Sequence, residues 1–292
     1  MSRIQDVLKK AERDGDLQRT RALAADAPSP ACASASASAI AMPSPWAPAA
    51  RETHDTLEPA APARSVSGTL DPRLVSAIAP QSLAAEQYRS LRTRIKASEN
   101  GRVFRSIIIT SPNKGDGKSL TAANLALAMA QEFQQRVMLV DADLRRPSLH
   151  HLFGISDTPG LTDVLMGGST LEDALVEIPE HRLTVLPSGL APVHPAELLG
   201  STGMRRVLDT LRTRYDRMIL DMPPVAPLAD VSIAAGMVDG ILMIVRAGVT
   251  PKPAIERALG GLEMPKVIGL VLNDAGAGDD SGDYDGYGYV AG

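Results

Sequence analysis

The sequence has very few of the residues that build cross-linked or metal-bound folds. Its 292 residues include one cysteine, Cys32, which excludes an internal disulfide framework and a cysteine-ligated metal site. Aromatic residues make up only 3% of the chain, and most of them are tyrosines. The net charge of −4 does not indicate a general nucleic-acid-binding protein. We therefore expect no nucleic acid among its partners.

Long apolar segments are missing too. No run approaches the ~18 apolar residues that a membrane-spanning helix requires. Residues 1–10 mix charges with single apolar residues and lack the apolar core of a signal peptide. We expect a cytoplasmic protein that is recruited to the inner face of the plasma membrane by a partner.

Composition divides the chain into four segments. Residues 1–25 carry apolar side chains at helical spacing among charges, which predicts a short amphipathic helix, either a docking helix or one without a partner. Residues 26–70 are rich in Ala, Pro and Ser and predict a disordered linker, because they cannot bury enough surface to offset the cost of ordering. Residues 71–273 are expected to form the folded unit. Residues 274–292 are expected to form a flexible tail of Tyr, Gly and Asp.

The most informative stretch is residues 111–119, SPNKGDGKS. A strand-like apolar run precedes it and an Ala/Leu-rich helical pattern follows, which is the context of a nucleotide phosphate-binding loop. One departure is Pro112, which stands where the standard pattern has a glycine. Backbone N–H groups of such a loop and the following helix N-terminus bind phosphate oxygens. The predicted nucleotide-binding residues are Asn113, Lys114, Gly115, Asp116, Gly117, Lys118, Ser119 and Leu120.

Short apolar runs follow the loop and alternate with helical patterns such as residues 204–214 and 254–262. The runs carry no polar alternation, as expected for strands buried on both faces. They occupy residues 137–140, 183–186, 218–220, 241–245 and 267–272. This alternation predicts an α/β fold of the P-loop NTPase class, a mostly parallel sheet with helices on both faces and ligands at the carboxyl ends of the strands.

Carboxylates follow two of these predicted strands. Asp141 and Asp143 come after one, and Asp221 comes after another. An aspartate at the end of a buried strand is costly unless it meets a cation or hydrogen-bond donors. Mg²⁺ prefers oxygen ligands and keeps several waters. We expect Ser119, Asp141 and Asp221 to hold Mg²⁺ beside the phosphates of ATP.

These motifs together resemble the bacterial tyrosine kinases (BY-kinases), the autokinases of capsule and exopolysaccharide synthesis. The resemblance runs from about residue 80 to residue 292, with the motifs in family order. The loop matches the Walker A motif, residues 140–147 match Walker A′, and residues 219–224 match Walker B. The family's Glu-x-x-Arg-x-x-Arg oligomerisation motif matches Glu86, Arg89 and Arg92, and its C-terminal tyrosine cluster matches Tyr284, Tyr287 and Tyr289.

The resemblance implies a protein-tyrosine autokinase that uses ATP and Mg²⁺. It implies catalytic roles for Lys118, Asp141 and Asp143, with Asp141 favoured as the base that accepts the tyrosine proton. Asn273 resembles the adenine-contacting Asn of related ATPases, although a strand-ending turn residue explains it nearly as well. The implied partners are a ring of identical chains, an activating membrane polysaccharide co-polymerase and a cognate tyrosine phosphatase.

Three other classes compete with this interpretation. A partition or division-site positioning ATPase carries its signature lysine where this chain has Asn113, one residue before Lys114. An iron–sulfur ATPase needs more cysteines than Cys32. A catalytically silent scaffold that binds ATP to drive assembly differs from a kinase only in turnover on tyrosine.

Overall fold

The structure is a computed structural model that describes residues 64–65, 69–99, 101–225 and 229–275. The strands in these residues are β1 (Arg64–Ser65), β2 (Ser106–Thr110), β3 (Val137–Asp141), β4 (Val176–Ile178), β5 (Leu183–Leu186), β6 (Arg217–Asp221), β7 (Gly240–Arg246) and β8 (Val267–Asn273). The α-helices are α1 (Val75–Ile78), α2 (Leu83–Ala97), α3 (Lys118–Ala130), α4 (Leu149–Phe153), α5 (Leu161–Leu165), α6 (Leu171–Ala174), α7 (Pro195–Leu199), α8 (Thr202–Arg214), α9 (Asp230–Ala235) and α10 (Lys252–Gly260).

All eight strands join one sheet in the order β1-β4-β5-β3-β6-β2-β7-β8. Neighbouring strands are parallel except for β4 and β5, which pair in antiparallel fashion. Parallel neighbours need long crossover connections, which the helices provide. The predicted α/β fold of the P-loop class is therefore confirmed.

Alternate residues of each central strand enter two separate cores. In β2, Ile108 packs on one face of the sheet, whereas Ile107 and Ile109 pack on the other. Helices α8, α9 and α10 cover the first face, and α2, α3 and α4 cover the second. Because both faces are covered, the central strands are uniformly apolar, as the sequence predicts.

Helix α3 is buried nearly all round, from Thr121 to Ala130. Its many alanines let it pack between the sheet and the segment that contains α1 and α2. Asn124 of α3 ties this segment down, since its Oδ1 accepts from Ser76 N at 3.0 Å and its Nδ2 donates to Arg73 O at 3.1 Å. The first helices of the domain are thus bonded to the helix that follows the phosphate loop.

The structure differs from the sequence prediction at the two edges of the sheet. Strand β1 lies within residues 26–70, which we predict to be disordered, and it pairs with β4, which no apolar run indicated. Leu70 also packs partly buried against the second core, so the folded unit begins before residue 71. At the other edge, β8 is only half-buried, and Leu272 is 49% exposed, because β8 has one neighbour among the strands that the structure describes.

Among the described residues, none of the helices is both long enough and apolar enough to cross a bilayer.

Candidate active site

The loop between β2 and α3 has the backbone of an anion cradle. Gly115 and Gly117 adopt φ values of 90° and 92°, a left-handed conformation that suits glycine, and α3 begins at Lys118. The buried Asp116 holds the loop together, because its Oδ2 accepts from Asn113 N at 2.8 Å. Its Oδ1 accepts from Thr250 Oγ1 at 2.7 Å, which ties the loop to the segment after β7. The free N–H groups at the start of α3 favour a bound anion.

Asn273 closes the loop from the end of β8. Its Nδ2 donates to Asp116 O at 2.9 Å. A Cβ at Gly117 would lie only 2.0 Å from this nitrogen, so any larger residue there would push the Asn273 side chain away. Asn273 therefore supports the loop, and the adenine contact that the sequence suggests stays a prediction.

Lys118 brings the predicted catalytic groups together. Its Nζ lies 2.8 Å from Asp143 Oδ2, 3.5 Å from Asp221 Oδ1 and 3.1 Å from Ser119 Oγ. Burial lowers the pKa of Lys118, but the charges of Asp221 and Asp143 outweigh this effect and raise it. The lysine is therefore fully charged at neutral pH and suited to hold phosphate oxygens.

Asp221 lies at the carboxyl end of β6, next to β2, the strand that leads into the phosphate loop. Strand β6 stands between β2 and β3, and Asp221 pairs in register with Ile109 on one side and Asp141 on the other. The side chain is fully buried, and burial raises its pKa against the lowering effect of Lys118. Its Oδ2 has no hydrogen-bond partner among the described residues. An unpartnered buried carboxylate oxygen beside Ser119 is a good ligand for a hard cation.

The carboxylate of Asp141 is used mainly by the backbone that follows it. Its Oδ2 accepts from Ser148 N and Leu149 N, both at 3.0 Å, and its Oδ1 accepts from Asp143 N at 3.3 Å. Burial, helped by the charge of Asp221, raises the pKa of Asp141 to about 7. Asp141 thus shapes the segment that presents Asp143 to Lys118.

No group of three or more His, Cys, Asp or Glu side chains in the described part of the chain is arranged to hold a metal ion by itself. Proteins bind Mg²⁺ through one or two carboxylates together with substrate phosphates. Ser119 and Asp221 are the residues whose positions fit such an ion best.

Sequence reasoning missed two polar residues that support this edge. Thr250 contacts Asp116, as described above. Asp230 is buried at the start of α9 and pairs with Arg145, with its Oδ2 at 2.6 Å from Arg145 Nε. Both contacts join residues far apart in the chain, so no local spacing indicates them.

The structure divides the predicted oligomerisation residues on α2. Glu86 is 61% exposed and pairs with Arg89. Arg92 is only 18% exposed, and its Nη1 donates to Ala128 O at 2.6 Å, near the end of α3. It also pairs with Glu132 at 3.1 Å. Arg89 is also held within its own chain, since its Nη1 donates to Pro80 O at 2.7 Å, so Glu86 is the most exposed residue of the motif.

The predicted phosphorylation sites Tyr284, Tyr287 and Tyr289 lie outside the described residues, as does the predicted helix of residues 1–25. The other two tyrosines, Tyr88 and Tyr215, are half-buried. Burial raises the pKa of both phenols. Neither is presented as an open substrate.

Comparison with known proteins identifies the family to which this chain belongs. A family model described as "AAA domain" matches residues 105–247. The tyrosine-protein kinase YwqD of Bacillus subtilis (strain 168) is 40% identical over 196 residues, which cover 66% of this chain and 82% of that protein. The chain belongs to the bacterial tyrosine-protein kinases. The predicted resemblance is thus confirmed, and the protein is a tyrosine kinase.

Two solved structures agree with this assignment of the kinase. The kinase domain of the Escherichia coli tyrosine kinase ETK has a TM-score of 0.65 and 29% identity, covering 68% of this kinase and 79% of that chain. The chimerical protein CapA2B2 has a TM-score of 0.66 and 31% identity, covering 72% of this kinase and 92% of that chain.

Proposed function

We propose that this kinase transfers the γ-phosphoryl group of ATP to tyrosines of its own tail, Tyr284, Tyr287 and Tyr289. The observation that carries the proposal is the position of Lys118, which joins the start of a phosphate-binding helix to carboxylates at the ends of two strands. Phosphoryl transfer depends on positioning and charge neutralisation more than on covalent help. The residues at the carboxyl ends of these strands supply both the positioning and the charge neutralisation.

Each residue of the site has a role in this reaction. Lys118 and the loop amides hold the phosphates, and Ser119 with Asp221 would hold Mg²⁺. When bound, the metal neutralises charge that develops on the phosphates. The phenol oxygen forms the new bond to phosphorus as the bond to the ADP oxygen breaks.

The proton of the phenol goes to a carboxylate, since a phenol of pKa about 10 is mostly protonated at neutral pH. We assign this step to Asp143 in preference to Asp141. The oxygens of Asp141 accept backbone N–H groups that belong to the fold. The Oδ2 of Asp143 is held by Lys118, which the phosphates would draw away.

The tail is the better substrate because of its composition. Glycine and aspartate surround its three tyrosines and prevent them from packing into a core. The half-buried Tyr88 and Tyr215 would have to leave their sites to reach a catalytic carboxylate.

We further propose that the kinase acts as a ring that regulates capsular or exopolysaccharide synthesis. Exposed Glu86 and its partner Arg89 on α2 support a contact between copies. The expected partners are a membrane polysaccharide co-polymerase, which would activate the kinase at the inner face of the plasma membrane, and a cognate tyrosine phosphatase. These assignments rest on the family to which the chain belongs.

The decisive experiment is incubation of the full chain with labelled ATP and Mg²⁺, with and without a cytoplasmic tail of a co-polymerase, followed by phosphosite mapping. Lys118→Met should remove tyrosine phosphorylation while the fold persists. Lys252→Met, which alters a lysine with an 80% exposed side chain on α10, is the matched control and should keep it. A folded Lys118→Met chain that phosphorylates at the parent rate would refute the proposal. ATP hydrolysis without phosphotyrosine would favour the positioning ATPase.

A further inference from the structure

A groove at the amino ends of the strands, opposite the end that holds the nucleotide loop, carries an excess of positive charge. It encloses about 400 Å³ between α8 and the segments that precede β7 and β8. Its charged lining consists of the cations Arg102, Arg205, Arg212 and Lys266 and the carboxylates Asp209 and Asp239. The amino ends of β7 and β8 therefore meet a cationic surface, far from the nucleotide loop at their carboxyl ends.

Hydrogen bonds within the fold engage the carboxylates of this groove, whereas two of its cations, Arg102 and Arg205, are largely exposed. Asp239 Oδ2 accepts from Ser106 N and Oγ at 2.9 and 2.7 Å. Arg212 donates to Asp209 Oδ1 at 2.9 Å, which holds the guanidinium in place. Arg102 forms a long ion pair of 4.0 Å with Asp239 but keeps 64% of its side chain exposed, and Arg205 is exposed without an ion pair among the described residues. The groove is thus prepared for an anion with several acceptor oxygens.

The tail of the same chain has the matching charge and the necessary reach. The residues after Asn273 include five aspartates and neither Lys nor Arg. The chain leaves the sheet at the carboxyl end of β8, where Asp274 pairs with Arg246 at 2.8 Å. Lys266 of the groove stands immediately before the same strand. Seven residues of strand span about 23 Å, and the eleven residues from Asn273 to Tyr284 can extend about 36 Å. Tyr284 can therefore reach the groove without a second copy.

The open edge of β8 provides a path for this return. Among the described strands, β8 pairs only with β7, so its outer backbone groups face away from the sheet. A chain that runs back along such an edge can add a strand to it.

We propose that this groove binds the phosphorylated tyrosine tail of the same chain. The proposal rests on the proposed function, because phosphorylation supplies most of the charge. Each phosphotyrosine adds about −1.5 to −2 charges and three strong acceptors that match arginine. Docking moves the phosphorylated tyrosines away from the catalytic residues at the carboxyl ends of the strands. It holds them in the groove at the amino ends. The open tail serves as substrate, and the docked tail is withdrawn until a phosphatase releases it.

A peptide titration tests the groove independently of catalysis. The probe is a labelled synthetic peptide of residues 279–292, with phosphate on all three tyrosines or on none. The receptor is the full chain with Tyr284, Tyr287 and Tyr289 changed to Phe, so that its own tail carries no phosphate. The phosphopeptide should bind at least tenfold more tightly than the plain peptide. Arg102→Ala and Arg205→Ala should each weaken it about tenfold, the usual effect of losing a charge-assisted hydrogen bond.

Arg206→Ala is the matched control, since this neighbouring arginine of α8 is exposed but does not line the groove. It should leave binding unchanged. Equal binding by the Arg102, Arg205 and Arg206 variants would overturn the site. The site would also be overturned if the parent bound phosphatidylserine vesicles but not the phosphopeptide, and if Arg205→Ala abolished that vesicle binding.

The autophosphorylated parent chain decides whether the tail docks within its own chain. It should bind the added phosphopeptide about tenfold more weakly than the Phe receptor, because the tethered tail competes at high effective concentration. Equal affinity of the two forms would overturn intramolecular docking. A parent chain that never gains phosphotyrosine would instead count against the proposed function, and the peptide titration would still decide the groove.

Discussion

Replacing Gly117 by alanine tests whether the phosphate loop depends on the backbone geometry seen here. Gly117 has φ 92°, and an added Cβ would lie 2.0 Å from Asn273 Nδ2. The side chain of Asn273 can rotate away, but it then loses its bond to Asp116 O. The left-handed conformation costs an L residue about 1–2 kcal/mol. The lost hydrogen bond costs about 1 kcal/mol more.

These terms sum to about 2–3 kcal/mol, which corresponds to a roughly 30- to 150-fold loss of nucleotide affinity if the loop bears all of it. The assay is titration with a fluorescent ATP analogue, accompanied by urea unfolding. Gly101→Ala is the control for backbone strain in the unfolding measurement, since Gly101 has φ 87° and no atom within 4 Å of an added Cβ. The Gly101→Ala chain should lose stability from backbone strain alone and keep its affinity for the ATP analogue.

A double variant isolates the contribution of Asn273. Gly117→Ala combined with Asn273→Ala should lose little more than Gly117→Ala alone, because both changes remove the same bond. Additive losses, or a Gly117→Ala chain with parent affinity, would show that Asn273 and Gly117 do not hold the loop together.

Three further predictions concern other parts of the fold. Asp221→Asn should lower phosphorylation by orders of magnitude with little change in folding, measured by labelled-phosphate transfer, because it weakens a metal ligand and a partner of Lys118; near-parent turnover would contradict this. Asn124→Ala should lower the free energy of unfolding by about 2–3 kcal/mol, measured in urea, because it leaves the Ser76 N–H buried without its partner. Glu86→Ala should reduce the assembled mass in light scattering with little change in monomer stability, whereas Arg92→Ala should also lower the monomer's unfolding free energy, and equal effects would refute the division.

The parts of the fold that sequence predicts well are those set by local patterns. The phosphate loop is specified by two glycines whose left-handed backbone few other residues adopt. The central strands are specified by apolar runs, because both faces of the sheet are covered. The aspartates at or just after the ends of β3 and β6 follow from those strands, and the structure brings two of them, Asp143 and Asp221, to Lys118.

The parts that sequence missed depend on contacts between distant residues. Strand β4 has three residues and pairs against the direction of its neighbour β5, so no run of apolar residues marks it. The bonds of Thr250 to Asp116 and of Asp230 to Arg145 join segments more than 80 residues apart. An isolated threonine or aspartate carries no sign of such a partner until the sheet is assembled.

Arg92 shows why a motif can name the right helix and still leave a residue's role open. Helical spacing places Glu86, Arg89 and Arg92 along one side of α2, and this predicts a shared role. The side of α2 that faces solvent changes along its length, however, because the end of α3 approaches it at Ala128 and Glu132. There the guanidinium satisfies a helix carbonyl that would otherwise lack a partner. In the proposed ring, the same motif would link a contact between copies at Glu86 and Arg89 to the nucleotide helix at Arg92. Assembly of the ring would in this way act on the helix whose first turn holds Lys118 and Ser119.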